Sequence, residues 1–297
     1  MAYDPATVLP AAYLNWLREL ARERRFGAGD RRGSLNLIDA GARDRCREAV
    51  LSGASADLGR PLAPASSNRG DGRQAFRLEV FYTDGPIGMG SDHLELDCHG
   101  VVNTHIDGLN HIALDQTFYG GYRVDDGNAP SLAELASGGI ATRAVHVDIP
   151  AVRGTPWVEV DRPVTGEDIE RALSRAGVTF EPGDALLLDM GRDRFEAAGQ
   201  ELAADRRSGV GADGARWIEA HGVSIVCWDF LDAVAPEEPR APVHMLNWAI
   251  GLVLVDNCDF ARLRAALPEG QASGALVIGP LPIAGATGCN VNPVVVM

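Results

Sequence analysis

No lysine occurs in this sequence: all 27 basic side chains are arginine, a uniformity that reads as a coding bias and carries no functional weight. The arginines form no cluster, and 41 acidic residues bring the net charge to -14. That balance excludes the basic face with which nucleic-acid binders track phosphates. Cysteine is scarce: Cys46, Cys98, Cys227, Cys258 and Cys289 are odd in number and contain no C-x-x-C pair. A disulfide framework is therefore not expected, and each thiol reads as a small buried hydrophobe, with Cys98 set apart because a histidine run follows it. The first 25 residues, MAYDPATVLPAAYLNWLRELARERR, carry acidic side chains and no continuous apolar run. Neither a signal peptide nor a membrane anchor is expected there, no membrane partner is expected, and the expected location is cytoplasmic. Internal repeats and long low-complexity tracts are also missing. Ser34, Ser52 and Ser224 lack the G-x-S-x-G setting of a serine nucleophile, and neither GDRRGSLN nor GGIA follows the strand-to-helix order of a dinucleotide fingerprint.

What is present is the composition of an ordinary globular protein, 46% hydrophobic and 23% charged. From Pro10 to Arg25, Tyr13, Trp16, Leu17 and Leu20 recur at helical spacing and predict an amphipathic helix that packs on the body or on a partner subunit. PASSNRGDGRQ, Pro64 to Gln74, has no apolar period and reads as a surface loop rather than a domain boundary. AFRLEVFY and LELD alternate apolar with polar side chains, as half-buried strands do. After Gly139 the pattern changes to ATRAVHVDI (strand), VTGEDIERALSRAG (helix, with Thr165 and Asp168 in capping-box positions), DALLLDM (strand), GADGARWIEAHG (helix stopped by Gly222) and VSIVCWDF (strand). Strands alternating with helices imply α/β construction. HMLNWAIGLVLVDNCDFARLRAAL adds a helix or buried segment, a strand and a short closing helix.

The sequence has seven histidines, and three of them, His99, His105 and His111, fall six residues apart within CHGVVNTHIDGLNH, with Asp107 between the last two. In an extended strand residues 99, 101, 103, 105 and 107 share one face, so His99, His105 and Asp107 converge. Imidazole and carboxylate donors side by side suit Zn or Mn. His111 lies beyond Gly108, where the chain can turn it back over the same point as an acid/base. A polar strand with inert histidines explains one such residue but not three in register with an aspartate. Gly100, Gly108, Gly120 and Gly121 allow the backbone to approach a ligand. Phe81, Tyr82, Phe118, Tyr119 and Tyr122 flank the run and are read either as core or as walls for a planar substrate. Trp228 and Asp229 sit at a strand end, where α/β proteins bind ligands, although a buried aromatic and a capping carboxylate account for them equally.

These residues resemble those of a family, the cyclase-like metal-dependent hydrolases that include bacterial kynurenine formamidase and isatin hydrolase. THIDGLNH, Thr104 to His111, is similar to the second half of the family signature H-x-G-T-H-x-D-x-P-x-H. FGAGDRRGSLNLI and LSGASADLGRPLAP resemble its N-terminal pattern, VTGEDIERAL with EPGDALLLDMG its helix and strand, and GPLPIAGATGCNVNP its C-terminal closure. The resemblance implies an α/β protein of swivelling β/β/α type, with a mixed sheet or barrel core and peripheral helices. It implies one domain over 26–297 behind a helical extension over 1–25, assembled as a homodimer or homotetramer. His105 corresponds to a metal ligand, Asp107 to a carboxylate that bridges two metals, and His111 to the acid/base; His244 and Asp256 correspond to further ligands, with Asp256 where the family has Glu. Upstream the sequence departs from the pattern. Val101 stands where the family has a histidine, Asn103 where Gly is usual, and Leu109 in place of Pro. His99 substitutes for the missing ligand only if the strand bulges or the side chain reaches along the same face.

The implied function is hydrolysis of an amide or lactam C–N bond in a small aromatic substrate, using a divalent Zn or Mn ion and His111. Two alternatives stay open: a ring cyclase of aromatic polyketide or other secondary metabolism, with or without metal, and a non-catalytic small-molecule binding protein on the same scaffold.

Overall fold

ALLLD, IVCW and VLVD lack polar alternation, the mark of strands buried on both faces by a parallel sheet. The computed structural model, which describes residues 9–62, 76–203 and 206–297, places these three runs side by side at the centre of one sheet. In chain order the strands are β1 (Ser55–Asp57), β2 (Phe76–Tyr82), β3 (Gly90–Leu96), β4 (His105–Asp107), β5 (Ile140–Asp148), β6 (Ala185–Asp189), β7 (Ile225–Trp228), β8 (Val253–Asp256), β9 (Ser273–Ile278), β10 (Gly288–Asn290) and β11 (Val294–Val296). Nine of them form a mixed sheet in the order β1-β11-β9-β5-β6-β7-β8-β4-β10, curled into a half-barrel. β5, β6, β7 and β8 run parallel, and the flanking pairs are antiparallel. The expected α/β architecture with peripheral helices is therefore the one observed.

The helices are α1 (Ala11–Glu23), α2 (Ala40–Glu48), α3 (Leu132–Ala136), α4 (Ile149–Arg153), α5 (Gly166–Ala176), α6 (Arg192–Ala197), α7 (Ala212–Ala220), α8 (His244–Ile250) and α9 (Ala261–Ala266). Strand alternation divides the core between two faces. Leu186, Leu188, Val226, Trp228 and Leu254 point to one, with Ile169 of α5 and Ile218 of α7; Leu187, Ile225, Cys227, Val253 and Val255 point to the other, with Leu263 of α9. The predicted N-terminal helix packs on the body. Leu17 of α1 is fully buried, and the Tyr13 hydroxyl donates to the Pro242 carbonyl at 2.9 Å, just ahead of α8. No helix among the described residues is long and apolar enough to cross a membrane.

Two expectations are corrected. β2 and β3 pair only with each other, and apart from Phe76 every residue of the ribbon is exposed, so the alternation in AFRLEVFY and LELD marks a projecting two-stranded ribbon rather than a half-buried one. The long extended segment expected from His99 to Asp107 is interrupted: only His105–Asp107 is strand, and residues 99–103 are bent. The loop expected over Pro64–Gln74 lies outside the described residues.

Candidate metal centre

β4 is three residues long and pairs on both sides, which fixes what its side chains meet. His105 lies opposite Asp256 of β8 and Asn290 of β10, and Asp107 lies opposite Gly288. The period of two sends Ile106 into one core cluster and puts His105 and Asp107 together on the other face. There His105 Nε2 lies 3.6 Å from Asp107 Oδ1 and 3.7 Å from Asp256 Oδ2. The other ring nitrogen, Nδ1, is 2.9 Å from the Asn103 carbonyl, to which it donates, so the Nε2 lone pair faces the carboxylates.

His99 arrives by a route the sequence did not indicate. Gly100 has φ +118°, open to glycine but rarely to other residues, and turns the chain ahead of β4. Asn257 holds this bend by donating to the carbonyls of Gly100 and Asn103 at 2.8 and 3.0 Å, while buried Arg192 donates to Asn257 Oδ1 at 2.7 Å and to the Val101 carbonyl. His99 Nε2 meets Thr287 Oγ1 at 2.9 Å, and Nδ1 comes within 3.1 Å of Asp107 Oδ1 without the alignment of a hydrogen bond. His99 thus comes beside Asp107 through a bent loop rather than along a strand. The side chain of Val101 borders the cavity instead.

The second group of donors comes from the loop after β4 and from α8. The His111 amide donates to the Gly108 carbonyl at 3.1 Å, the expected turn, and its Nε2 lies 3.8 Å from Asp107 Oδ2. Its ring stacks on His99 with centroids 4.0 Å apart. His244, the first residue of α8, has Nε2 3.8 Å from Asp107 Oδ2 and 3.1 Å from Asp256 Oδ2, while Nδ1 donates to Asp232. Burial holds His111 below the usual imidazole range, with Asp107 pulling the other way, so it is neutral and able to accept a proton near pH 7. Burial also opposes charge on His244, but Asp256 and Asp232 outweigh it and raise the pKa well above the ordinary value. A cation taking Nε2 has to displace that proton. Burial likewise opposes charge on Asp256, yet His244, His105 and the Trp228 indole, donating at 2.6 Å, hold it ionised.

The donor atoms form two overlapping sets, His99–His105–Asp107 and Asp107–His111–His244, each within 4.8 Å. Asp107 belongs to both. It is fully buried, and neither carboxylate oxygen has a hydrogen-bond donor among the described residues. A buried carboxylate without a partner costs several kcal/mol, and a cation removes that cost. The residues therefore fit a metal, and the mixture of imidazole and carboxylate donors suits a divalent ion of borderline hardness.

The donors border a cavity of about 670 Å³. Aliphatic side chains, including Val101, Ile112, Leu231 and Val234, share its walls with charged ones, among them Arg207, Arg240 and Glu238. The aromatic walls expected from the sequence are elsewhere. Phe81 and Tyr82 are exposed on the β2–β3 ribbon, Phe118 lies beside Arg18 and Trp248 in a separate depression, and Tyr119 is buried with its hydroxyl donating to Asp30 at 2.9 Å. Trp228 is fully buried behind the site, where it orients Asp256. Gly100 borders the cavity; Gly120 and Gly121 do not. Sequence reading missed Asp232, Arg192, Asn257 and Gly288. Asp232 precedes His244 by twelve residues, as Asp256 follows it by twelve, but positions on separate elements carry no contact information until the fold joins them.

The Cyclase family model matches residues 56–233, more than half of the chain, and the chain belongs to that family. No curated protein shows significant sequence similarity to it. Among solved structures, a novel cyclase superposes with a TM-score of 0.82 at 20% identity, over 95% of this chain and 99% of its own. Isatin hydrolase A from Labrenzia aggregata, bound to benzyl benzoate, gives 0.57 at 20% identity, over 89% and 100%. A protein from Bacillus stearothermophilus described as a predicted metal-dependent hydrolase gives 0.52 at 17%, over 82% and 97%. At these identities the likeness is one of fold.

Proposed function

We propose that this protein is a metal-dependent hydrolase of an amide or lactam C–N bond in a small, aromatic substrate. The observation that carries the reading is Asp107, buried, without a hydrogen-bond donor to either oxygen, and shared by two sets of histidine donors at the edge of a cavity. His99, His105, Asp107, His244 and Asp256 would hold one or two Zn or Mn ions. When bound, such an ion supplies a Lewis acid that polarises a carbonyl and brings the pKa of water toward ~7. His111, kept neutral by burial, takes a proton during attack on the carbonyl and returns it to the leaving nitrogen. Asp232 fixes the His244 ring through Nδ1, and Trp228 fixes Asp256, so neither donor needs to reorient.

A ligand missing at position 101 would favour metal-independent ring closure. The position of His99 beside Asp107 removes that ground and makes hydrolysis the better-supported reading. Metal analysis joined to assays on an aryl formamide and an aryl-fused lactam tests it. Replacing His105 or Asp107 by alanine should abolish both bound metal and hydrolysis, and a metal-free variant that still cleaves the C–N bond would overturn it.

A further inference from the structure

Among the described residues, Arg207 borders the metal-centre cavity without a carboxylate in ion-pair contact with its guanidinium. The guanidinium makes two long hydrogen bonds, Nε and Nη2 each donating to the Asp232 carbonyl at 3.3 Å. The acidic groups nearby are engaged elsewhere. The Asp232 carboxylate accepts from the Val243 amide at 2.6 Å and from His244 Nδ1, and the Glu238 carboxylate accepts from the Ala212 amide at 2.7 Å. The other arginine on the wall, Arg240, already has an interaction of its own.

The backbone carries Arg207 to this position. Its amide and carbonyl pair reciprocally with Val234 at 3.1 and 3.0 Å, so the residue is attached to the segment that forms the wall. A partly buried guanidinium remains charged, and burying such a charge is costly until an anion meets it. Burial depresses its pKa from the usual arginine range, opposed by Asp232 and Asp256, which is the environment of a cation withdrawn from water but not neutralised.

We propose that Arg207 is a carboxylate-binding residue and that the substrate is an anionic amide, carrying a carboxylate at the end remote from the scissile carbonyl. The proposal names the substrate class of the hydrolase reading and rests on it. One guanidinium without an ion-pair partner matches a single negative charge in a planar fork, whereas a phosphate dianion would bring a second negative charge beside Asp232, Glu238 and Asp256. A substrate held at Arg207 lies in the same cavity as the His and Asp donors, to which it presents its carbonyl.

Calorimetric titration of the full chain, both chelator-treated and zinc-loaded, with 4-acetylbenzoate and its neutral isostere 4-acetylbenzamide tests the subsite without turnover. The carboxylate should bind more tightly in both forms. Arg207→Gln should weaken it by on the order of 10- to 100-fold, the scale of a lost charge-assisted hydrogen bond, and leave the carboxamide within about twofold; Arg207→Lys should lie between. Equal affinity for the two ligands, a carboxylate affinity indifferent to Arg207→Gln, an equal loss for both ligands, or no binding of either overturns the proposal. Turnover of 4-formamidobenzoate by the zinc-loaded protein is measured in parallel. Its absence alongside Arg207-dependent binding sinks the hydrolase reading and upholds the subsite.

Discussion

At the scale of single residues, His111 and Asp107 divide the labour. Asp107 is fully buried, shared between two donor sets and without a hydrogen-bond donor to either oxygen among the described residues. His111 retains 22% side-chain exposure and stands at the open edge, where a proton can come and go. His111→Gln should therefore keep bound metal nearly unchanged while lowering kcat by about 10²- to 10⁴-fold, measured by elemental analysis and steady-state kinetics. The pH dependence follows from the direction of its shift. A depressed imidazole pKa keeps the base neutral to below ~6.5, the ordinary value, so the acidic limb of kcat/KM should fall below that pH and disappear in His111→Gln. A metal beside the ring acts in the same direction, because a second positive charge disfavours the imidazolium.

At the scale of elements, the site depends on how closely β10 can approach the bent loop before β4. A Cβ added at Gly288 would lie 2.6 Å from the Ile106 carbonyl oxygen and 2.8 Å from His99 Cε1. Gly288→Ala should cost about 1–3 kcal/mol and displace His99, read as lower stability in urea and as weaker metal binding. Gly279→Ala, where nothing lies within 4 Å of an added Cβ, is the control that should show neither. Away from the donor residues, α5 shows an electrostatic device of its own. Thr165 and Asp168 form the capping box that the sequence announced, and Asp168 also pairs at 2.5 Å with Arg153, whose side chain is fully buried. Burial opposes charge on Asp168, but Arg153 and the Thr165 donors outweigh it and depress its pKa. Its stabilisation is thus present above the unfolded value of ~3.9 and is lost as pH falls through the folded value. Asp168→Asn should destabilise by about 3 kcal/mol at pH 7, with the difference from the parent closing below pH 4 in denaturant titrations.

At the scale of the whole molecule, the centre ties distant parts of the chain into one sheet. Donors at 99, 105, 107 and 111 meet those at 244 and 256 through the pairing of β4 with β8. A cation that binds only this assembled arrangement stabilises the entire fold by mass action, about 4 kcal/mol at a thousandfold excess over its Kd. Thermal unfolding should therefore shift upward with Zn or Mn and return with a chelator, and Asp107→Ala should remove the shift.

Much of this was legible beforehand because it is local. The capped helix α5, the apolar central strands and the turn at Gly108 are each written in a few adjacent residues, and His105 with Asp107 needed only the period of a strand. The alternation of the β2–β3 ribbon misled because alternation describes side-chain direction and does not say whether another layer covers either face. The aromatic residues near the histidines in sequence misled for a related reason: Tyr119 is committed to Asp30 and the core, and Phe81 is carried outward on the ribbon.

By itself, then, the amino-acid order determined the α/β periodicity, the short strand that aims His105 and Asp107 together, and the turn that returns His111. Only the tertiary structure decided that His99 reaches the centre, that Asp232 orients His244, and that Arg207 borders the cavity. The physical reason is that those three depend on contacts between segments far apart in the chain, set by the Arg192–Asn257 clamp on the loop before β4 and by the wall that pairs Arg207 with Val234.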